Sequence, residues 1–321
     1  MQAILSVTVP FFALVLCGYL AAQRKLLPEA AIPGLNAFVL FFALPCMLFR
    51  FGAATPIRHL LDPAALAVYL ICALMLVMGV MWGSLNPRIR WNDAAFGALV
   101  AVFPNTGFMG VPLLVALLGA AAAGPAILTL TVDLIVTTSL CIGLSRLDSA
   151  DEQGAADAAR RALKGMALNP MAWSIALGAV ASALQLEPVR PVRQTLGLLA
   201  DAASPVALFT IGAVLARSQY VAALEAHDPM PPRDYLPIVL VKLVVHPLLV
   251  LGVGSLAIAM GAPLGRFTLE VMVLVAALPS ASNVSVLAER FGADTGRIAR
   301  IILLTTALAF LSFSAAVAVL R

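Results

Sequence analysis

From Ala94 to Val132 the chain carries no Lys, Arg, Asp or Glu. At about 1.5 Å of rise per residue, so long an uncharged apolar stretch is enough to cross about 30 Å of hydrocarbon twice. The rest of the chain agrees. Apolar residues make up 62% of 321 and charged residues 11%, with a mean hydropathy of +1.02, whereas a soluble domain is about 45–50% apolar and about 25% charged. Water cannot solvate this much apolar surface, so the bilayer must. The formal charge of +4 is small and the basic residues are spread over many loops, which reads as topology signalling and excludes a nucleic-acid partner. The run from Ala3 to Ala22 has no basic segment before it and reads as a first span rather than a cleavable signal. Cys17, Cys46, Cys72 and Cys141 all lie in apolar runs without metal-ligand spacing, so neither a disulfide framework nor a metal site is expected.

Apolar windows fall near residues 3–22, 32–51, 64–82, 94–118, 124–145, 169–186, 195–216, 236–260, 267–290 and 298–320. This predicts an all-α polytopic membrane protein of ten spans. The charged stretch 146–168 divides it into 1–145 and 169–321, five spans on each side. Five is odd, so the second half enters from the opposite face, and two related halves are inverted repeats. Pro45-Cys-Met-Leu-Phe49 in the second window matches Pro205-Val-Ala-Leu-Phe209 in the seventh. With the N-terminus outside, inner loops hold Arg24, Lys25, Arg88, Arg90, Arg146, Arg160, Arg161, Lys164, Arg217, Arg233, Arg290, Arg297 and Arg300. Outer segments hold only Arg50, Arg58, Arg190, Arg193, Arg266 and Arg321. That asymmetry predicts both termini outside.

The fourth and ninth windows carry the most information. Each holds a proline near its middle, in Phe103-Pro104-Asn105-Thr106-Gly107 and in Leu278-Pro279-Ser280-Ala281-Ser282-Asn283. Proline removes one backbone hydrogen bond and clashes with the preceding turn, and hydrocarbon offers no water to the freed carbonyl. Pro104 lies roughly 18 Å of helix beyond Asn92, near the midplane, and Pro279 reaches a similar depth from the other face. A half-helix beginning there presents unpaired N–H groups and a positive dipole end. Two such ends meeting at the midplane suit an anion. Asn105, Thr106, Ser280, Ser282 and Asn283 are the expected ligands, with Pro104, Pro112 and Pro279 as the breaks.

Three further polar residues sit inside spans. Asp133 is flanked by Thr129 and Thr137, one turn away on either side; it reads as a coupling-ion or proton group, as the partner of a base such as Lys242, or as a structural hydrogen-bond acceptor. Lys242 and His246 share a face of the eighth window. Lys242 either turns inward or snorkels to the surface, and His246 is either a packing residue or a proton carrier. Asp201 and Glu270 are weaker candidates. The histidines His59, His227 and His246 lie in separate segments, so no catalytic cluster and no enzyme is expected.

The tracts Asn36–Phe49, Phe103-Pro104-Asn105-Thr106-Gly107-Phe108-Met109-Gly110-Val111-Pro112, Lys242-Leu-Val-Val-His246-Pro247 and Ala277–Val284 together resemble the auxin efflux carrier family of permeases, in its bacterial, short-loop form. The resemblance spans nearly the whole chain. It implies two inverted five-helix repeats with crossing broken helices 4 and 9, the architecture shared with bile-acid/sodium symporters. It also implies a scaffold of spans 1, 2, 6 and 7, often dimeric, and an elevator-type transport domain made of the other six. The implied activity is secondary transport of small organic anions such as mono- or dicarboxylates across the bacterial inner membrane, without a cofactor. Coupling to Na+ or H+ stays open, as do a sodium-coupled bile-acid-like symporter and a non-transporting sensor. By position, Asn105 and Asn283 are crossover ligands, although Asn105 follows its proline directly and Asn283 trails by four residues, so Ser280 is the alternative counterpart. Cys46 and Met47 would form the scaffold wall.

Overall fold

A computed structural model describes residues 2–55, 62–147, 170–225 and 230–320. His59, His227 and nearly all of the charged stretch 146–168 lie outside the described residues. The described residues form helices α1 (Gln2–Gln23), α2 (Ala31–Ala54), α3 (Pro63–Ser84), α4 (Trp91–Val102), α5 (Thr106–Leu118), α6 (Ala120–Leu144), α7 (Pro170–Ala183), α8 (Arg190–Glu225), α9 (Leu236–Ala259), α10 (Arg266–Ala276), α11 (Asn283–Arg290) and α12 (Thr295–Leu320). Seven of them, α1, α2, α3, α6, α8, α9 and α12, are long and apolar enough to cross a membrane, while α5 and α7 are shorter apolar helices. The protein is an all-helical, multi-pass membrane protein. The fourth apolar window is two helices, α4 and α5, and the ninth is α10 and α11. The only strand-like pairing among the described residues is a single bridge between Pro104 and Ser280.

Four of these helices contain a widened, π-helical turn: Val39–Ala43 in α2, Thr106–Gly110 in α5, Asp133–Thr137 in α6 and Val241–Val245 in α9. Three have a common cause. A proline, Pro45, Pro112 or Pro247, follows two residues after the turn, and widening the turn relieves its clash with the preceding carbonyl and its missing N–H. Pro112 therefore does not break the membrane segment. Helix α5 runs through it, and the break lies at Pro104 alone. The fourth turn has no proline; there the Asp133 carbonyl accepts a hydrogen bond from Thr138 Oγ1 at 2.7 Å.

The chain divides into two compact units, one drawn from Met1–Asp62, Thr106–Leu128 and Leu168–Leu224, the other from Pro63–Asn105, Thr129–Ala167 and Glu225–Arg321. In the first, helix pairs cross at glycines. A methyl group on Gly18 of α1 would overlap the Phe209 carbonyl of α8, and one on Gly212 of α8 would overlap the Val15 carbonyl of α1. In α7 and α2, a methyl group on Gly178 would sit 2.8 Å from the Phe49 carbonyl oxygen, and one on Gly52 would sit 3.4 Å from that of Ile175. The two crossings are one pattern used twice. Val15, Gly18, Phe49 and Gly52 become Ile175, Gly178, Phe209 and Gly212 on a constant step of 160 residues. An exposed ion pair, Arg50 Nη1 to Asp201 Oδ1 at 2.6 Å, joins α2 to α8.

In the second unit, every residue from Ala94 to Val102 of α4 and from Val271 to Ala276 of α10 is buried. Helices that are apolar all round belong at the centre of a bundle, and α3, α6, α9 and α12 pack around these two.

Backbone crowding at the first crossing predicts that Gly18→Ala lowers stability by about 1–3 kcal/mol, the usual cost of overpacking. Gly79→Ala in α3, where nothing lies within 4 Å of the added carbon, should be neutral or stabilising by up to about 1 kcal/mol. Thermal melts of the detergent-purified variants measure both.

Candidate functional site

The site begins with what each proline forbids. Phe103, the residue before Pro104, has left the helical region (φ −78°, ψ 102°), as the proline ring requires of its predecessor. Residues 103–105 lie outside any helix, and so do residues 277–282. Both interruptions expose backbone groups that no water can reach. The two breaks satisfy each other. Asn105 N–H donates to the Pro279 carbonyl at 2.8 Å, and Ala281 N–H donates to the Phe103 carbonyl at 3.0 Å. Ser280 Oγ donates to the Val100 carbonyl of α4 at 2.7 Å, and Ser280 N–H reaches Thr305 Oγ1 of α12 at 3.3 Å. Thr305 Oγ1 in turn donates to the carbonyl of Ile301 or Ile302, at 2.8 and 3.0 Å.

This arrangement revises the expectation of free half-helix amides. The first amide beyond Pro104 is consumed by the other break, as is the second beyond Pro279; the first there, Ser280 N–H, goes to Thr305 Oγ1, and the Ser280 hydroxyl proton is engaged by α4. What remains open lies one step further along. The residue before α11, Ser282, makes no side-chain cap, and the amides of Ser282 and Asn283 have no backbone partner outside the helix among the described residues. Asn105 is 3% exposed, and the Oδ1 atoms of Asn105 and Asn283 are buried without a hydrogen-bond partner among the described residues. The structure thus gathers Asn105, Ser280, Ser282 and Asn283 around one backbone bridge. Thr106, next along the chain, is buried and opens α5 in the first unit, which also holds the half-buried Pro112. Met47, buried, and Cys46, half-buried, also belong to α2 of the first unit.

A second polar cluster lies within the same unit. Asp133 accepts from Tyr69 Oη of α3 at 2.8 Å through Oδ2 and from Thr137 Oγ1 at 3.1 Å through Oδ1. Lys242 Nζ lies 3.1 Å from His246 Nδ1 and donates to the Ala276 carbonyl at 3.2 Å. Asp133, Lys242 and His246 are each 0% exposed, so Lys242 turns inward and does not snorkel. Asp133 and Lys242 act on one another electrostatically, but they are not within ion-pair contact; Asp133 is held by Tyr69 instead. The Tyr69 ring lies 6.3 Å from the imidazole of His246, whose Nε2 has no partner among the described residues. Ala276 is the last residue of α10, three residues before Pro279.

Arg297, read from the sequence as a loop charge, is instead 1% exposed. It donates through Nε to the Asp234 carbonyl and through Nη1 to the Asp93 carbonyl, both at 2.8 Å. It thereby ties the start of α12 to the starts of α4 and α9, and Gly97 leaves room for its guanidinium, since an added methyl group would sit 2.9 Å from Nη1. Tyr69, Arg297 and Thr305 are the polar residues that sequence reasoning missed. Each is a lone residue whose partners are distant in the chain, so no local pattern marks them.

Compared with known proteins, residues 3–317 match a family described as "Membrane transport protein". This chain is a member of that family, the family of the auxin efflux carriers. Among its similar relatives is a protein of Rhizobium meliloti named "Putative malonate transporter", 29% identical over 96% of this chain and 93% of that protein. The "Uncharacterized transporter YfdV" of Escherichia coli strain K12 is 26% identical over 89% of this chain and 88% of its own length. "Auxin efflux carrier component 4" of Arabidopsis thaliana is 27% identical over 45% of this chain and 24% of its own length.

Thr305→Val leaves the buried Ser280 N–H without its acceptor. This family member should then lose about 1–3 kcal/mol of stability, the penalty for an unsatisfied buried donor. Thr306→Val, at a hydroxyl that bonds only within its own helix, should lose less. Paired thermal melts test the difference.

Proposed function

We infer that this membrane transporter carries small organic anions, mono- or dicarboxylates, by moving the crossover across the bilayer in an elevator-like cycle. The observation that carries the reading is the pair of proline breaks joined backbone to backbone, with Asn105, Ser282 and Asn283 presenting uncommitted polar groups beside them. The open amides at the start of α11 favour negative charge, and the asparagine side chains supply orientation. The full-length relative named for malonate supports a carboxylate cargo.

The proposed architecture is ten spans in two inverted five-helix repeats, 1–145 and 169–321, joined by the loop 146–168. The doubled glycine crossings support it, because they relate α1 and α2 to α7 and α8 on one constant step. The first compact unit holds α1, α2, α7 and α8, together with α5 and the start of α6; the first four are the proposed scaffold of spans 1, 2, 6 and 7, with Cys46 and Met47 as its wall and a homodimer as its assembly. The second unit holds α3, α9, α12 and both helices that lead into the breaks, in line with a mobile transport domain. The proposed setting is the bacterial inner membrane with both termini outside. Moving Arg297 from loop to interior still leaves the inner loops richer in Lys and Arg.

A second reading, sodium coupling, rests on the two orphaned carbonyl oxygens, Asn105 Oδ1 and Asn283 Oδ1. Oxygen acceptors beside broken helices are what a sodium ion requires. Proteoliposome flux of malonate and other carboxylates, with and without sodium, tests both readings. Asn105→Ala should abolish flux at unchanged expression, and normal flux in this variant would reject the site. Asp133→Asn should alter the dependence of uptake on pH or sodium, and unaltered dependence would remove Asp133 from coupling.

A further inference from the structure

The end of α10 poses a problem that the crossover bridge does not solve. The last carbonyls of a helix have no partner within it and form its negative end. Here that end is buried: Val275, Ala276, Ala277 and Leu278 are all at most 1% exposed. Ala277 N–H turns back to the Val273 carbonyl and Leu278 N–H to that of Val275, and the Ala276 carbonyl takes its bond from Lys242 Nζ of α9. A buried lysine thus caps the half-helix that leads into the second break. Its other close partner is His246 Nδ1, and no carboxylate is within 4 Å of it among the described residues.

We propose that Lys242 and His246 form a proton-binding site that latches the second crossover, the latch being made when Lys242 carries its proton and loosened when that proton leaves. The inference rests on the transport reading only for its purpose, not for its geometry. With the proton bound, the ammonium donates to both the Ala276 carbonyl and His246 Nδ1, so the imidazole carries its hydrogen on Nε2, the atom left without a partner. On release, one N–H bond of Lys242 breaks, its electron pair stays on Nζ as a lone pair, and the proton passes to water. The imidazole proton is then free to sit on Nδ1 and donate to that lone pair. The bond to Ala276 becomes a neutral one, and neutral hydrogen bonds are about half as strong as charge-assisted ones. Latching is thus present at low pH and lost as pH rises through the titration of Lys242.

The groups that face the pair are few. Helix α3 brings Tyr69 and Cys72, whose Sγ lies 3.9 Å from the Leu249 carbonyl of α9. Helix α6 brings Asp133, with Cys141 near it. Helix α10 brings the Ala276 carbonyl, and α12, which packs on α9, carries the buried hydroxyls of Thr305 and Thr306 and, at its start, the buried Arg297, whose guanidinium is taken by the Asp93 and Asp234 carbonyls. Asp133 is the only charged side chain that acts on Lys242 among the described residues. Its own hydrogen bonds run to Tyr69 and Thr137, which leaves Lys242 Nζ to the Ala276 carbonyl and His246 Nδ1.

Amide hydrogen exchange on the purified full-length protein tests this without any substrate, so failure of the carboxylate reading and failure of the latch are separable. Protection of residues 276–283, taken relative to the intrinsic exchange rate at each pH, should fall roughly tenfold from low to high pH in the wild type. Lys242→Arg keeps a permanent charge and should stay protected across the range. Lys242→Met should be as loose at low pH as the wild type is at high pH. Protection of this segment that ignores pH in the wild type, or a Lys242→Arg variant that follows the wild-type pH response, would overturn the proposal. Should Lys242→Arg not fold, the Lys242→Met comparison decides alone, because wild-type protection in that variant has the same meaning.

Discussion

A peptide group in hydrocarbon has no solvent to fall back on, and that constraint organises this protein. Each unbonded N–H or C=O costs several kcal/mol there, so helices are the default and any interruption must be repaired at once. Pro104 and Pro279 interrupt two helices, and neither break can be repaired from its own chain segment. Each finds its missing partners in the other, through Asn105 N–H to Pro279 and Ala281 N–H to Phe103. The hydroxyls of Ser280 and Thr305 then take up the Val100 carbonyl and the Ser280 amide. Most backbone groups at the two breaks are therefore paired, and the amides of Ser282 and Asn283 and a few side-chain groups stay outside the bridge.

Charge inside the second unit obeys the same rule. The buried basic side chains Lys242 and Arg297 each spend donors on backbone carbonyls, Ala276 for one and Asp93 and Asp234 for the other. Carbonyls are dipoles that cost nothing further to desolvate once buried, whereas a contact carboxylate would have to be stripped of water as well. Asp133 is treated alike: its oxygens take hydroxyl protons from Tyr69 and Thr137 rather than an ammonium.

The class of fold was legible because hydrophobicity at this density permits only one solvent. The breaks were legible because proline acts locally, at its own position and its predecessor's. Pro112 was misread as a break for the same reason: the proline is visible in the sequence, but the widened turn that absorbs it is a choice of the whole helix. The pairing of the two breaks with each other, and hence the consumption of the Asn105 and Ala281 amides, depends on a contact between residues far apart in the chain. Tyr69 and Thr305 stayed invisible on that account, and Arg297 looked like any other loop arginine because its burial depends on Gly97, a partner two hundred positions away. The glycine crossings fell between these cases. Each glycine is unremarkable alone, and the constant step between them acquires meaning only when all four contacts are known.

The bridge at the midplane is built from main-chain atoms, which every amino acid supplies. Replacing the asparagine or the serine beside it would change the side-chain groups presented there without dismantling the frame that carries them. Evolution could thus retune cargo at a handful of side chains while inheriting the machinery whole, a freedom consistent with relatives whose names mention molecules as unlike as malonate and auxin.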